Sequence, residues 1–282
     1  MSTSDLDVIG FWSEVKLDIV RDYAKEYSKI LSKNPKISRH LYIDAFAGAG
    51  IHLSKKTGEY VAGSPLNALN VEPPFSEYHF IDLDEKRVEG LQQLALGNAA
   101  VTVHHGNCNE ILTNAVFPRC KYEDYARGLC LLDPYALTVD WSVLEAAGKM
   151  KTVEVFYNFM IMDANMNVFL WDPDKVKPAQ LARMDAVWGD RSWRDVAYKK
   201  EQRGMFDDAF VEEKASNDRI AAAFRTRLRE VAGFKYVPDP IPMKNSSGAT
   251  VYYLFFASPN LIGDKILQHI FKKHRARAAH GG

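Results

Sequence analysis

The sequence predicts an α/β fold in which a mainly parallel sheet carries helices on its faces. Buried strands alternate with amphipathic helices through the first half of the chain, a pattern typical of parallel strands joined by right-handed crossovers. A glycine-rich turn directly after the first of these strands, and a strand–turn–strand pattern near the C-terminal end, favour the same class. The predicted strands, in chain order, are 41–45, 77–83, 100–104, 128–132, 152–160, 235–243 and 250–258.

The stretch LYIDAFAGAG, residues 41–50, is the centre of this prediction. Its first five residues predict a buried strand, and the remainder predicts a tight turn of small residues that starts at Phe46. Gly48 and Gly50 let the backbone bend sharply and leave no side chain between the turn and a ligand. Asp44 lies near the strand end, where open α/β sheets bind the polar groups of their ligands. We therefore predict that Asp44, Phe46, Gly48 and Gly50 contact a nucleotide-type cofactor.

The N-terminal region, residues 1–36, is predicted to be a cap helix on the sheet. Apolar residues recur at helical spacing over 11–31, with charged residues outside that face. A cap helix packed on the sheet is one interpretation. The alternative is a lid, in which Lys16 or Tyr23 reaches across the crevice to a substrate.

The alternation of predicted strands and helices divides the rest of the chain into a core and an insertion. Residues 37–160 alternate strand and helix and predict the cofactor-binding core. Residues 161–217 do not continue the alternation of strand and helix. We predict a mostly helical insertion there, because its tryptophans and methionines need a surface to pack on. Residues 218–282 predict a helix, a hairpin and a last helix that complete the core.

Composition limits the class of protein. Hydrophobic content of 47% and charged content of 26% are ordinary globular values, and the formal net charge of zero gives no global electrostatic case for nucleic acid. No apolar run approaches the roughly 18 residues of a membrane span, and the first residues do not resemble a secretory signal. Three cysteines without C-x-x-C spacing fit reduced thiols. We expect a cytoplasmic protein that does not contact a membrane.

Polar residues follow two further strands at the same predicted edge of the sheet. Asp82 and Leu83 end the second strand, where an acidic residue typically accepts hydrogen bonds from the hydroxyls of a ribose. Asn107 follows the third strand, where its amide suits the edge of an adenine. The alternatives are a helix cap or a solvated strand end for Asp82, and a turn residue for Asn107.

The fourth strand is followed by Asp133, Pro134 and Tyr135, an acidic side chain and an aromatic ring on a proline-stiffened loop. The alternative is a plain strand end with a packing tyrosine. No metal site is expected, because His104 and His105 point to opposite faces of a strand and no carboxylate spacing completes a site.

The absence of two phosphate-binding motifs narrows the range of possible cofactors. No G-x-x-x-x-G-K-[ST] pattern follows the turn, and Leu53 stands at the third glycine position of G-x-G-x-x-G. A ligand with ribose and adenine but without a pyrophosphate fits better, and S-adenosylmethionine is that ligand. The C-terminal hairpin also suits the sheet of the methyltransferases that use this cofactor, because that sheet contains an antiparallel strand. We therefore predict a Rossmann-like class I methyltransferase fold: a seven-stranded sheet with an antiparallel C-terminal hairpin and a mostly helical insertion.

Several motifs in order resemble the three-Cys-motif partner protein (TcmP) family of bacteria. They are FWSEVKLDIVRDYAKEY, YIDAFAGAG, GSPLNAL, YHFIDLD, LLDPYAL and YYLFFAS, which together span most of the chain except the insertion. The resemblance implies a class I methyltransferase-like protein that binds S-adenosylmethionine and a partner protein. The family name refers to the cysteines of that partner.

The loop at residues 133–135 is similar to the D/N-P-P-Y loop of amino-methyltransferases that act on nucleobases, with one proline missing. That similarity implies catalytic roles for Asp133, Pro134 and Tyr135, with the aromatic ring stacking on an extruded base. The resulting hypothesis is a methyltransferase acting on an amino nitrogen, of which a nucleic acid is one candidate substrate. The rivals are a catalytically silent partner-binding subunit and a small-molecule methyltransferase. In the insertion, Arg191 and the tryptophans form either a substrate-binding wall or a packing core.

Overall fold

A computed structural model describes residues 7–204 and 207–281 of the chain. The strands are β1 (Val8–Ile9), β2 (Arg39–Asp44), β3 (Ile51–Ser54), β4 (Tyr60–Ala62), β5 (Glu77–Asp82), β6 (Val101–His105), β7 (Ala126–Leu132), β8 (Val153–Phe159), β9 (Tyr198–Gly204), β10 (Asp207–Lys214), β11 (Ile241–Lys244) and β12 (Thr250–Ala257). The α-helices are α1 (Phe11–Ser32), α2 (Ser64–Leu69), α3 (Glu85–Leu94), α4 (Cys108–Ile111), α5 (Trp141–Met150), α6 (Ile161–Asn167), α7 (Pro178–Trp188), α8 (Trp193–Ala197), α9 (Asn217–Glu230) and α10 (Leu261–Gly281).

A seven-stranded sheet organises the molecule, in the order β11-β12-β8-β7-β2-β5-β6. The strands from β8 to β6 pair in parallel, whereas β12 pairs antiparallel with both β8 and β11. Six strands run in one direction, and the antiparallel β12 is inserted between β8 and β11, which gives the class I methyltransferase sheet. The predicted fold class is confirmed.

Helices cover both faces of this sheet, because alternate strand residues point to opposite sides. In β2, Leu41 and Ile43 belong to one buried cluster and Tyr42 to the other. The first cluster packs under α4 to α9, and the second packs under α1, α2, α3 and α10. Both faces are therefore buried, as a parallel sheet requires.

The helix α1 lies on the second face of the sheet. Val15, Ile19 and Tyr23 are buried at helical spacing against the sheet. Its C-terminal half also contacts α10, where Lys273 Nζ donates to Asp22 Oδ2 at 3.0 Å. The first and last helices of the chain thus share one layer.

The sequence predicts a polar loop over residues 52–62, because polar residues dominate there, but this segment forms most of the hairpin β3–β4. A third short strand, β1, pairs in parallel with β3. Gly58 provides the turn with a φ of +70°, and the Ser54 hydroxyl accepts from the backbone N–H of Lys56 at 3.3 Å. Apolar residues alternate only briefly along these short strands, so the pattern was too weak to predict them.

Two further expectations need correction. The insertion at 161–217 is helical from α6 to α8 but ends in the antiparallel hairpin β9–β10. The strand expected over 235–243 is confined to β11, which starts at Ile241 and is preceded by a single bridge from Tyr236 to Ser258. Pro238 and Pro240 lack the backbone N–H that a longer ladder needs. Across residues 7–204 and 207–281, every helix falls short of the length and apolar character that a bilayer crossing requires.

Candidate active site at the carboxyl edge of the sheet

A cleft of about 850 Å³ opens at the carboxyl ends of β2, β5, β6 and β7. Open α/β sheets bind ligands at this edge. The residues that line it are Ala45, Phe46, Asp82, Leu83, Asp84, Arg87, Gly106, Asn107, Cys108, Asn109, Tyr135, Ala136, Leu137, Thr138, Asp140, Arg183 and Ala186. The structure therefore brings Phe46, Asp82, Leu83, Asn107 and Tyr135 together, as the sequence predicts.

The glycine turn after β2 is held by the carboxylate that ends β5. Gly48 has a φ of +63°, and its backbone N–H donates to Asp82 Oδ2 at 2.9 Å. The other oxygen, Oδ1, accepts from the backbone N–H of Asp84 at 2.9 Å. Gly50, with a φ of +80°, has its carbonyl 2.8 Å from the backbone nitrogen of Gly63, so a second loop supports the turn. Asp82 thus fixes the position of the turn.

Two residues beside Asp82 give the cleft an apolar side and a polar side. The Leu83 side chain is 73% exposed although it is apolar, and it lines the cleft. Asn107 lies opposite at the start of α4, where its Oδ1 accepts from the backbone N–H of Asn109 at 2.9 Å. Asn107 is therefore a helix cap that also lines the cleft, and its contact with an adenine edge stays a prediction.

Tyr135 lies at the mouth of the same cleft. The Arg87 guanidinium lies 5.6 Å from the centre of its ring, and the Tyr135 hydroxyl donates to Asp7 Oδ2 at 3.2 Å. Arg87 Nη2 also pairs with Asp7 Oδ2 at 3.2 Å. The segment before β1 therefore reaches the rim of the cleft. Tyr135 lines the same cleft as Asp82, whereas Asp133 is not among its lining residues; that Tyr135 and Asp133 contact one substrate stays a prediction.

Asp133 is not among the residues that line this cleft, and it lies in a partly buried polar network. Its two oxygens accept hydrogen bonds from Lys16 Nζ of α1 and from Asn158 Nδ2 of β8. Pro134 next to it is buried. Burial lowers the pKa of Lys16, but the charge of Asp133 and, to a smaller extent, Tyr252 raise it, and the net direction is upward. Lys16 is therefore a fixed ammonium ion held on Asp133.

Asp44 lies buried beneath the same network. Its Oδ1 accepts from the backbone N–H of Phe46 at 3.3 Å. Burial raises the pKa of Asp44 to about 7, the Ser64 hydroxyl opposes this shift, and the negative charge of Asp133 adds to it. Among the described residues, Asp44 Oδ2 and Asn158 Oδ1 are buried without a hydrogen-bond partner. Unpaired acceptors of this kind suit a ligand that brings N–H donors.

Two residues predicted to bind substrate lie elsewhere. Tyr23 is 1% exposed and donates to Glu154 Oε2 at 2.5 Å, at the opposite edge of the sheet, because α1 runs across the sheet from Lys16 to Tyr23. Its role in a lid is therefore wrong, whereas Lys16 does reach the carboxyl edge. Arg191 pairs with Asp185 at 3.1 Å and has a side chain that is 90% exposed. It is not among the residues that line the cleft.

Sequence reasoning missed the residues that hold the loop after β7. Asp163 of α6 accepts from the backbone N–H of Leu137 at 2.9 Å and pairs with Arg183 of α7 at 3.0 Å. Asn109 donates to the carbonyl of Thr138 at 2.9 Å. A signal existed for Asp163, since it lies just after the fifth parallel strand in the same way that Asp133 follows the fourth. Within residues 7–204 and 207–281, no group of His, Cys, Asp or Glu side chains is arranged to hold a metal ion.

Solved structures resemble the chain at low identity. Protein LPL1258 from Legionella pneumophila has a TM-score of 0.41 and 14% identity, over 70% of this chain and 82% of its own. The METTL16 methyltransferase domain has a TM-score of 0.37 and 10% identity, over 84% of this chain and 66% of its own. The methyltransferase domain of bacterial CtHen1-CN has a TM-score of 0.37 and 8% identity, over 85% of this chain and 99% of its own. No protein-family model and no curated protein sequence matches the chain. The fold class accordingly rests on the strand order of the chain itself.

Proposed function

We propose that the chain is an S-adenosylmethionine-dependent methyltransferase that acts on an amino nitrogen. The observation that most directly supports this proposal is the hydrogen bond from the backbone N–H of Gly48 to Asp82. A carboxylate at the end of β5 holds a glycine turn at the carboxyl edge of a methyltransferase-type sheet. We also propose residues 37–160 and 218–282 as the core, 1–36 as its cap and 161–217 as the insertion.

The residues of the cleft fit this cofactor. A Cβ built on Gly48 would meet nothing within 4 Å, so the turn leaves open space beside the carboxylate. Asp82 is suited to the ribose hydroxyls, Leu83 to the face of the adenine and Asn107 to its edge. A cleft of about 850 Å³ lies within the usual range for small-molecule sites, roughly 300–1,000 Å³.

When bound, the cofactor supplies a methyl group on a sulfonium that is already activated. The remaining work of the protein is to position the accepting nitrogen and to place charge near it. Asp133 suits this role, since it already accepts from the nitrogen donors Lys16 and Asn158. In this proposal a substrate amino group donates to an Asp133 oxygen beside Lys16 and Asn158, because a carboxylate can accept more than two hydrogen bonds. A nucleic-acid base is one candidate for the substrate, in keeping with the similarity of residues 133–135 to a nucleobase amino-methyltransferase loop.

The occupied state of Asp133 also favours a second candidate function. A carboxylate engaged on both oxygens suits a catalytically silent subunit that binds a partner, and the resemblance to the TcmP family points to a three-Cys-motif protein as that partner. A third candidate is a small-molecule methyltransferase, favoured by Arg183 and Ala186 of the insertion, which line the cleft.

Calorimetric titration with S-adenosylmethionine tests the shared part of these proposals. Asp82→Ala should weaken binding by roughly 1–3 kcal/mol, because it removes the acceptor for the ribose hydroxyls and releases the glycine turn. Asp239→Ala is the matched control, since Asp239 is an exposed carboxylate whose partner is Arg225. Equal affinity in all three proteins would show that the cofactor cleft lies elsewhere.

Transfer of a tritiated methyl group to fractionated cell extract separates the enzyme from the silent subunit. Asp133→Ala should leave cofactor affinity within about threefold and lower transfer by roughly 100-fold. A silent subunit gives no transfer even from the wild-type protein. Unchanged transfer by Asp133→Ala would contradict the amino-nitrogen mechanism and leave the cofactor assignment intact.

A further inference from the structure

A second cavity, of about 390 Å³, opens at the edge of the sheet opposite the cofactor cleft. It lies at the first residues of β7 and β8, between the C-terminal half of α1 and the first turn of α10. An adjoining cavity of about 500 Å³ shares Lys151, Lys235 and Pro259 with it. Neither cavity belongs to the site described above, because the strands place the two edges at opposite ends of the sheet.

A buried hydrogen-bonded group shapes the inner wall of this cavity. Glu154 Oε2 accepts from the Tyr23 hydroxyl at 2.5 Å, and its Oε1 accepts from the Ser258 hydroxyl at 2.7 Å. A Cβ built on Gly263 would lie 2.6 Å from both Glu154 Oε1 and the Tyr23 hydroxyl oxygen, so α10 packs directly on this group. The oxygens of Glu154 are thus engaged by protein donors rather than offered to a ligand.

Two other side chains that line the cavity have hydroxyls without a partner. Tyr27 is 7% exposed and Thr152 is 1% exposed, and neither hydroxyl finds a hydrogen-bond partner among the described residues. A buried polar group left unpaired costs about 1–3 kcal/mol. Both residues line the cavity, and because their oxygen atoms are enclosed in this structure, a ligand oxygen reaches either hydroxyl after a small shift of the cavity wall.

Cations without a carboxylate partner surround the same space. Arg127 donates to the Ala126 carbonyl at 2.7 Å and lies 5.0 Å from the centre of the Tyr122 ring, and Lys235 Nζ lies 5.4 Å from the centre of the Tyr236 ring. Arg127, Lys151 and Lys235 line the cavity, and Arg229 lines the adjoining one together with Glu230. In the part of the chain that the structure describes, none of these four cations forms a salt bridge, although many other Lys and Arg residues do. The N-terminal turn of α10 adds the positive end of a 21-residue helix. The local potential therefore favours an anion.

The rim of the cavity is apolar. Ile30, Leu261 and Ile262 line it and keep exposed fractions of 38%, 43% and 53%, respectively. An inorganic anion alone would leave this apolar rim in contact with water. An anion attached to an apolar body would cover it.

We propose that this cavity binds a small organic anion with an apolar portion, such as an alkyl phosphate. Arg127, Lys151 and Lys235 receive the charged head, and the Tyr27 and Thr152 hydroxyls donate to its oxygens. The apolar portion packs on the rim at Ile30, Leu261 and Ile262. This site is independent of methyl transfer and of the cofactor cleft.

Calorimetric titration with four matched probes tests the chemistry. Octyl phosphate, below the concentration at which it forms micelles, should bind at least about tenfold more tightly than inorganic phosphate, octanol or octyltrimethylammonium. The comparison with inorganic phosphate tests the apolar rim, and the comparison with octyltrimethylammonium tests the sign of the charge. Octyl phosphate binding no more tightly than octanol would overturn the proposal.

Variants locate the site. The double variant Lys151→Gln/Lys235→Gln should weaken octyl phosphate at least about tenfold, since each lost charge-assisted contact contributes to the free energy of binding. The double variant Lys177→Gln/Lys244→Gln, which changes two other exposed lysines, should bind like wild type. An unchanged affinity in the first double variant, or an equal loss in the second, would refute the location.

Two single variants exclude trivial explanations. Tyr27→Phe should weaken octyl phosphate several-fold while leaving the free energy of unfolding without ligand unchanged or higher, because its hydroxyl has no protein partner. A purely structural tyrosine predicts the reverse pattern. Asp82→Ala should leave octyl phosphate affinity unchanged, and a loss there would place the probe in the cofactor cleft instead.

Discussion

Lys16→Met is the substitution that most directly tests the polar network at the carboxyl edge of the sheet. It removes the ammonium held on Asp133 but keeps a long apolar stem. The two side chains are 10% and 24% exposed, so this pair lies between a fully buried and a surface ion pair. Breaking a fully buried pair costs about 3–5 kcal/mol, and exposed pairs contribute about 0–1 kcal/mol. Because Asn158 still donates to Asp133, we expect a loss of about 2–3 kcal/mol.

Urea unfolding of a double-mutant cycle with Asp133→Asn measures this pair. Each single variant should have a lower free energy of unfolding than the wild type. The loss in the double variant should be about 2 kcal/mol smaller than the sum of the two single losses. Lys29→Met is the control on the same helix. Lys29 Nζ lies 3.8 Å from Glu26 Oε1, and the Lys29 side chain is 54% exposed. Lys29→Met should therefore lower the free energy of unfolding by less than about 0.5 kcal/mol. Additive effects within about 0.5 kcal/mol would refute a direct coupling between Lys16 and Asp133.

Three further predictions follow from individual contacts. Gly148→Ala should lower the free energy of unfolding by more than about 3 kcal/mol, as measured in urea, because the new Cβ would lie 2.0 Å from the carbonyl oxygen of Ala232; an unchanged midpoint would contradict this close packing. Burial raises the pKa of Glu154 to about 7 in the folded protein from 4.5, so its contribution to stability is complete below pH 4.5 and disappears as the pH rises through 7. Glu154→Gln should therefore reduce the change of the melting temperature between pH 5 and 8. The same pH dependence in the variant and the wild type would contradict the raised pKa of Glu154. Asp163→Ala should weaken S-adenosylmethionine several-fold in calorimetry, because Leu137 loses the acceptor for its backbone N–H; full affinity would show that the loop is held without it.

Strand order and the location of the cleft could be predicted from the sequence because both follow from local patterns. Parallel strands leave their carboxyl ends at one edge, so polar residues after consecutive strands must converge there. Asp82 and Asn107 lie 25 positions apart in the sequence, yet both line the cleft. The glycine turn was also predictable, since Gly48 and Gly50 adopt the positive φ values that other residues avoid.

The partners of the polar side chains could not be predicted in the same way. Lys16 and Asp133 are separated by 117 positions, and only the packing of α1 across the sheet brings them together. On a helical wheel Lys16 falls outside the apolar face, which suggests a solvated lysine rather than one that is 8% exposed. The lid interpretation names Lys16 or Tyr23 on this helix, because sequence spacing does not say at which edge of the sheet each turn of α1 lies.

The position of β12 has a consequence for how the chain is made. This strand is synthesised after both β8 and β11, yet it lies between them and pairs with both. During translation, at about 5–20 residues per second, the edge of β8 stays without its neighbour until residue 257 has left the ribosome. The exposed strand edge presents unpaired backbone groups to any other extended chain nearby. Nascent chains that stall after β8 and before β12 are therefore expected to be the form that chaperones must shield.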